Sequence, residues 1–129
     1  MRIVKMAAAA ALAGAIVTGP AATSVLARDD DVIRRGACSD ASDWKLKLSP
    51  ENGRIEVEFE VDSNRVGQTW NVRLKNDGNV FFSGTRTTQA PSGSFEVRRL
   101  TNNGAGSDFI VGRAVNPKTG EVCRGTATF

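Results

Sequence analysis

Apolar and polar residues alternate with a period of two along most of the chain after residue 40. Trp44, Leu46 and Leu48 alternate with Lys45 and Lys47, and Ile55, Val57, Phe59 and Val61 with Glu56, Glu58 and Glu60. Trp70, Val72 and Leu74 alternate with Asn71 and Arg73. Successive side chains on a strand point to opposite faces, so each run predicts a strand with one apolar side. Val80–Thr88, Ser94–Leu100, Phe109–Val115 and Val122–Phe129 continue the pattern. Turn signals punctuate it: Pro50-Glu51-Asn52-Gly53, Asn76-Asp77-Gly78, Asn102-Asn103-Gly104 and Asn116 to Gly120. No segment after residue 27 shows a helical stripe.

The first clear strands can be set in register. Leu48 facing Ile55 across the Pro50–Gly53 turn places Leu46 opposite Val57 and Trp44 opposite Phe59, with Lys47 on Glu56 and Lys45 on Glu58. Val61 facing Gln68 across the next loop then puts Phe59 against Trp70, Val57 against Val72 and Ile55 against Leu74. One sheet with an apolar face in three rows results, and a one-residue slip inverts that face. The last three strands, roughly 94–100, 108–115 and 122–129, are expected to form the sheet that covers it. The predicted fold is all-β: an immunoglobulin-like antiparallel β-sandwich of seven or eight short strands with one disulfide. A closed barrel is the alternative architecture.

The register of residues 80–88 stays open between two turns. A three-residue Asn76–Gly78 loop sets Leu74 opposite Val80 and Val72 opposite Phe82. Phe82 and Val80 are then buried, and Phe81 lies outside beside Arg73. A two-residue Asp77-Gly78 turn instead sets Leu74 opposite Phe81. The first is preferred because it also puts Gly84 across from Trp70. Both rings enter one core only if a bulge intervenes.

Residues 1–27 read as a secretory signal: Arg2 and Lys5 at the start, an apolar run from Met6 to Val17, a Gly19-Pro20 break, and Val25-Leu26-Ala27 before the cut. A cut after Ala22 is the other option. Residues 28–129 then form a single domain with a short flexible N-terminus, secreted to the extracellular space. The full chain carries 17 Lys/Arg and 14 Asp/Glu, a net charge of +3, but Arg2 and Lys5 leave with the signal. Near-neutral balance in the remainder argues against a general nucleic-acid binder. Cys38 and Cys123 fit no metal spacing, and export predicts that they form one disulfide.

The signal segment, Arg35-Gly36-Ala37-Cys38, Trp44 to Pro50, Arg86-Thr87-Thr88, Ala90 to Phe95 and Gly120 to Ala127 resemble small secreted proteins of high-GC Gram-positive bacteria. The resemblance spans nearly the whole mature chain. It implies export and a compact β domain and brings no catalytic residue with it.

The chain has no His and no Tyr, which excludes His-based triads, imidazole metal ligands and proton transfer by His. Glu56, Glu58 and Glu60 share a strand face, as paired glycosidase carboxyls must be close. Their basic neighbours favour the ionised form and a solvated charged face. Asp29-Asp30-Asp31, with Asp40 and Asp43, lack the spacing of a calcium loop and read as a solvated tail. No Gly-x-Ser-x-Gly elbow and no phosphate loop is present. No catalytic residue, metal ligand set or cofactor is therefore expected, and the chain is read as no enzyme.

Recognition rests on the arginines and one loop. A Val115–Val122 register sets Arg113 opposite Arg124; with Arg34-Arg35, Arg86 and Arg98-Arg99 these form a patch suited to an anionic polymer, a cell-wall phosphate or a protein. Glu96, Asp108 and Glu121 are expected to neutralise it locally. Few aromatic residues lie outside the core, which excludes base stacking and so nucleic acid. The loop Arg86 to Gly93 joins the two expected sheets, with Pro91 restricting it. Arg73, Phe81, Arg86, Gln89 and Pro91 are the candidate partner-binding residues. The expected function is a secreted noncatalytic interaction or structural domain, monomeric, meeting an extracellular protein or cell-envelope component, with no membrane contact after signal cleavage. A protease inhibitor acting through residues 86–93 and a small-ligand carrier are the alternatives.

Overall fold

The alternation is realised as eight antiparallel strands: β1 (Val32–Ala37), β2 (Asp43–Glu51), β3 (Arg54–Asp62), β4 (Thr69–Asn76), β5 (Asn79–Thr87), β6 (Ser94–Asn102), β7 (Phe109–Val115) and β8 (Val122–Thr128). This computed structural model describes residues 27–129, so the expected secretory signal, residues 1–27, lies outside the described residues except for Ala27. The strands form two packed four-stranded sheets, ordered β1-β2-β3-β6 and β5-β4-β7-β8.

Two hairpin turns fix much of the register. Asn52 and Gly53 have φ of 51° and 78°, and Asp77 and Gly78 have 48° and 85°. Positive φ at both central residues defines the type I′ turn, whose twist matches that of paired strands. The first turn is therefore two residues long, with Glu51 opposite Arg54 and Leu48 opposite Val57. This differs by two residues from the expected Leu48–Ile55 pairing, so every side chain keeps its face while its partner changes. Pro50 lies within β2 rather than in the turn. β1 pairs only as far as Leu48, so on that side no ladder bond is asked of the missing proline N–H.

The expected pairing of Val61 with Gln68 is corrected. β3 pairs with β6, with Val61 opposite Phe95 and Glu58 opposite Arg98, whereas β4 starts the other sheet. Ser63 to Gln68 thus crosses between layers. The crossing is anchored where the Ser63 N–H donates to Gly93 O at 3.0 Å. The three apolar rows therefore meet across the sandwich instead of within one sheet. Trp70 approaches Phe95 of the opposite sheet, with ring centroids 6.4 Å apart. Phe59, Leu46, Leu48, Ile55, Leu74 and Ile110 are fully buried between the layers. For the same reason the last three strands do not make one sheet: β6 joins the first, β7 and β8 the second.

The Cys38–Cys123 bond forms as expected, across a sequence separation of 85. It ties the end of β1 to β8, the edge strands of the two sheets.

In β5 the preferred three-residue turn is corrected: the turn is Asp77-Gly78, with Lys75 opposite Val80. A bulge between Leu74 and Lys75 then sets Leu74 opposite Phe82, Val72 opposite Gly84 and Trp70 opposite Arg86, which neither register anticipated. Phe81 is the extra residue, and Phe81 and Phe82 are both half-buried against the core. Val80, expected inside, is 51% exposed. Phe82 sits at the open seam where β5 and β6 face each other, with its ring between the guanidinium groups of Arg86 at 5.0 Å and Arg99 at 4.6 Å.

Candidate functional site

The two sheets divide the charge unequally. β1, β2, β3 and β6 carry seven basic and seven acidic residues. β4, β5, β7 and β8 carry Arg73, Lys75, Arg86, Arg113 and Arg124 and no Asp or Glu. Four of those five cations lie on the outer face, because Trp70, Val72 and Leu74 occupy the inner positions of β4 and Ile110 and Ala114 those of β7.

The register aligns three arginines in one row. Arg73 faces Arg113, and Arg113 faces Arg124; Ser83 continues the row onto β5. Adjacent strands lie about 4.8 Å apart, so the three attachment points span about 10 Å across the sheet. Like charges placed directly opposite destabilise a sheet. No acidic side chain lies within ion-pair distance of any of them among the described residues. The row is flanked by apolar and neutral positions: Asn71, Val115 and Val122 on one side, Val111 and Thr126 with Lys75 on the other. Phe109, 43% exposed, closes one end. The three arginines, with Asn71, Lys75, Phe109, Val111 and Val115, line an open groove of about 940 Å³.

The acids expected to quench these arginines are engaged elsewhere. Glu96 lies 3.7 Å from Arg98. Asp108 accepts the Gly104 N–H at 3.3 Å. Glu121 is buried and accepts from the Ser42 N–H at 2.8 Å, the Ser42 hydroxyl at 2.9 Å and the Asp40 N–H at 3.2 Å.

Of the residues selected from sequence, Arg73 lies in this groove. Phe81 does not stand beside it on the outer face but packs against the core. Arg86 faces the seam, opposite Trp70. Gln89 and Pro91 lie apart, in a tight turn closed by a Gln89–Ser94 bridge and a Gly93 N–H bond to Gln89 O at 2.8 Å. Thr88 at its base is buried, and Gly93 is pressed against the Asn64–Arg65 backbone. Arg113 and Arg124 pair as the last hairpin implied, but Arg34, Arg35, Arg98 and Arg99, expected in the same patch, lie on the first sheet. Lys75 and Val111 were not singled out from sequence. Counting charge strand by strand, rather than over the whole chain, would have exposed the acid-free set.

The carboxylates of the first sheet are arranged differently. Glu58 is buried between Lys47 at 3.9 Å and Arg98 at 3.4 Å. Partial burial, together with the nearby Glu58 and Glu60 carboxylates, raises the Glu96 pKa despite Arg98. Asp31 is no solvated tail: its side chain is 1% exposed and lies 3.7 Å from the Lys47 ammonium. Among the described residues no three His, Cys, Asp or Glu side chains are placed to hold a metal ion, and no helix is long and apolar enough to cross a membrane. No family model matches the chain, and no curated protein or solved structure matches it.

Proposed function

We propose that this chain is a secreted, noncatalytic binding domain that holds a phosphate-bearing linear polymer of the cell envelope on the outer face of its second sheet. The observation that carries the reading is the unquenched Arg73–Arg113–Arg124 row. Guanidinium groups offer planar, bidentate donation to phosphate and carboxylate. A line of three, crossing the strands in an open groove between apolar shoulders, fits successive anionic groups of one chain better than a compact ligand. The absence of acids from all four strands removes competition for those donors. A small all-β domain without a catalytic cluster among its described residues accords with binding rather than turnover.

The sandwich is also read here as immunoglobulin-like. With β2 to β8 taken as seven consecutive strands, the second pairs with the fifth and the third with the sixth, the crossing that characterises such domains. The fourth, β5, lies beside β4 instead of β6, and β1 is an addition.

Titration of protein beginning at Arg28 with fluorescently labelled inorganic polyphosphate tests the binding reading, with poly-glutamate and a neutral polysaccharide alongside. Polyphosphate is expected to bind with an affinity that falls steeply with salt, and the triple variant R73Q/R113Q/R124Q to lose at least about tenfold. Equal binding by the triple variant, or no binding of polyphosphate, overturns the proposal. Preference for poly-glutamate overturns the choice of phosphate.

A further inference from the structure

The opposite face of the sandwich carries a second, independent arrangement. On the outer face of the first sheet Ile33, Lys47, Glu58 and Arg98 form one cross-strand row. Over this row the segment Arg28–Asp31 folds back as a turn, with the Asp31 N–H bonded to Arg28 O at 3.0 Å. The turn is held down by the Arg28 guanidinium, which donates to Pro50 O at 2.9 Å. It delivers the Asp31 carboxylate to Lys47 at 3.7 Å.

The side chains of Lys47, Asp31 and Glu58 are 5%, 1% and 6% exposed. One buried ammonium thus faces two buried carboxylates. Asp31 Oδ1 and Glu58 Oε2 are buried without a hydrogen-bond donor. Buried carboxylates in that condition are costly unless a cation completes the group. The flanking Arg28 and Arg98 side chains are 54% and 48% exposed; Arg28 Nε lies 3.8 Å from Asp31 Oδ1, beyond hydrogen-bond distance, and 3.9 Å from Asp30, while Arg98 is shared between Glu58 and Glu96. Neither is confined to the buried trio. One further nitrogen already lies there: the backbone N of Arg28, 2.7 Å from Asp31 Oδ2.

We propose that the Ala27–Arg28 peptide bond is the processing site, and that the α-ammonium freed at Arg28 docks on Asp31 and balances the buried Lys47–Asp31–Glu58 group. A leader-processing endopeptidase adds water across the amide. The C–N bond breaks, Ala27 keeps the hydroxyl as a carboxyl, and Arg28 nitrogen takes the hydrogen and then a proton from solvent. A single neutral N–H donor is thereby replaced by a cation with three, without moving the nitrogen. A cut after Ala22 leaves that position an amide, and the trio then has only the half-exposed Arg28 and Arg98 guanidinium groups to balance it. This assignment does not depend on the cationic groove.

Three measurements test it. The mass of protein secreted from the full chain is expected to start at Arg28. In that protein, NMR titration of the ¹⁵N-labelled α-amine is expected to give a pKa at least about one unit above the ordinary 7.7–8.0, returning to the ordinary range in Asp31→Asn. Adding Ser-Ala before Arg28 is expected to lower the melting temperature by roughly 5 °C, and to change it little in Asp31→Asn, where Lys47 still has Glu58. Secreted protein starting at Thr23, an unshifted amine, or an extension without thermal effect overturns the proposal.

Discussion

The indole of Trp44 lies so close to Gly125 that a Cβ on the glycine would fall 2.6 Å from the ring. Gly125 stands opposite Gly112 on β7, and a Cβ on Gly112 would meet the Phe59 ring at 2.7 Å. The paired glycines form a flat floor in the second sheet that receives two aromatic rings from the first. Alanine ordinarily stabilises a strand relative to glycine by about 0.5–1 kcal/mol. Here the sign inverts: Gly112→Ala and Gly125→Ala should each cost about 1–3 kcal/mol through overpacking, measured by urea unfolding. Gly53→Ala is the control for strain alone, because nothing lies within 4 Å of its Cβ position and its φ is +78°.

The periodicity made the faces legible but not the partners. Every buried apolar residue of β2, β3 and β4 was assigned to the inside correctly, because a period of two fixes the face. A hairpin and a crossover, however, bury the same residues, so the sequence of alternation did not distinguish Phe59 beside Trp70 in one sheet from Phe59 across the core on Gly112. Asn52-Gly53 carried the cue for a two-residue turn, but Pro50 drew the turn outward. The Asp29–Asp31 triplet read as a tail because nothing local announces that Lys47, on an outer face, requires a counter-charge. In the candidate site, Arg113 opposite Arg124 was legible from the last hairpin. Arg73 joining them was not, since the β4–β7 pairing is a long-range one.

The arginine row should show opposite effects on stability and binding. Arg113 is the central member, with a like charge on each side. Replacing it by Gln relieves repulsion worth about 0.2–1 kcal/mol. Arg113→Gln is therefore expected to raise the unfolding midpoint slightly while weakening polyphosphate binding. A variant that loses both would show that the arginine supports the fold.

Phe81 and Phe82 share the seam between β5 and β6, both half-buried against the core. Their alanine variants should accordingly fall closer together than a strictly alternating strand implies, each losing about 1–3 kcal/mol, below the 3–5 expected of a fully buried ring. Trp70→Ala, at a site with no exposure, supplies that upper value. Arg99→Ala should add no loss in a Phe82→Ala background, because its guanidinium lies over that ring at 4.6 Å. Denaturant unfolding of the parent, Phe82→Ala, Arg99→Ala and the double variant measures this coupling.

Acid titration should separate two carboxylates with shifts of opposite direction. Burial alone would raise the Asp31 pKa, but the Arg28 backbone N–H, Ser49, Lys47 and the Arg28 guanidinium outweigh it, and the net shift is downward from 3.8. A folded-state value below the unfolded one means that the ionised form favours folding. Asp31 therefore contributes stability above the unfolded value, lost as pH falls through the folded one. Asp31→Asn should destabilise the protein near neutrality and cost progressively less below about pH 4. Glu96 behaves inversely. Burial, with Glu58 and Glu60 beside it, lifts its pKa above 4.5 against the pull of Arg98. Its protonated form favours folding, so its contribution is present in acid and lost as pH rises through the raised value. Glu96→Gln should thus leave stability nearly unchanged in acid and increase it near neutrality. Urea midpoints of both variants and the parent between pH 3 and pH 7 check the two signs together. A Glu96→Gln variant less stable than the parent at pH 7 would mean that its pairing with Arg98 outweighs the repulsion from Glu58 and Glu60.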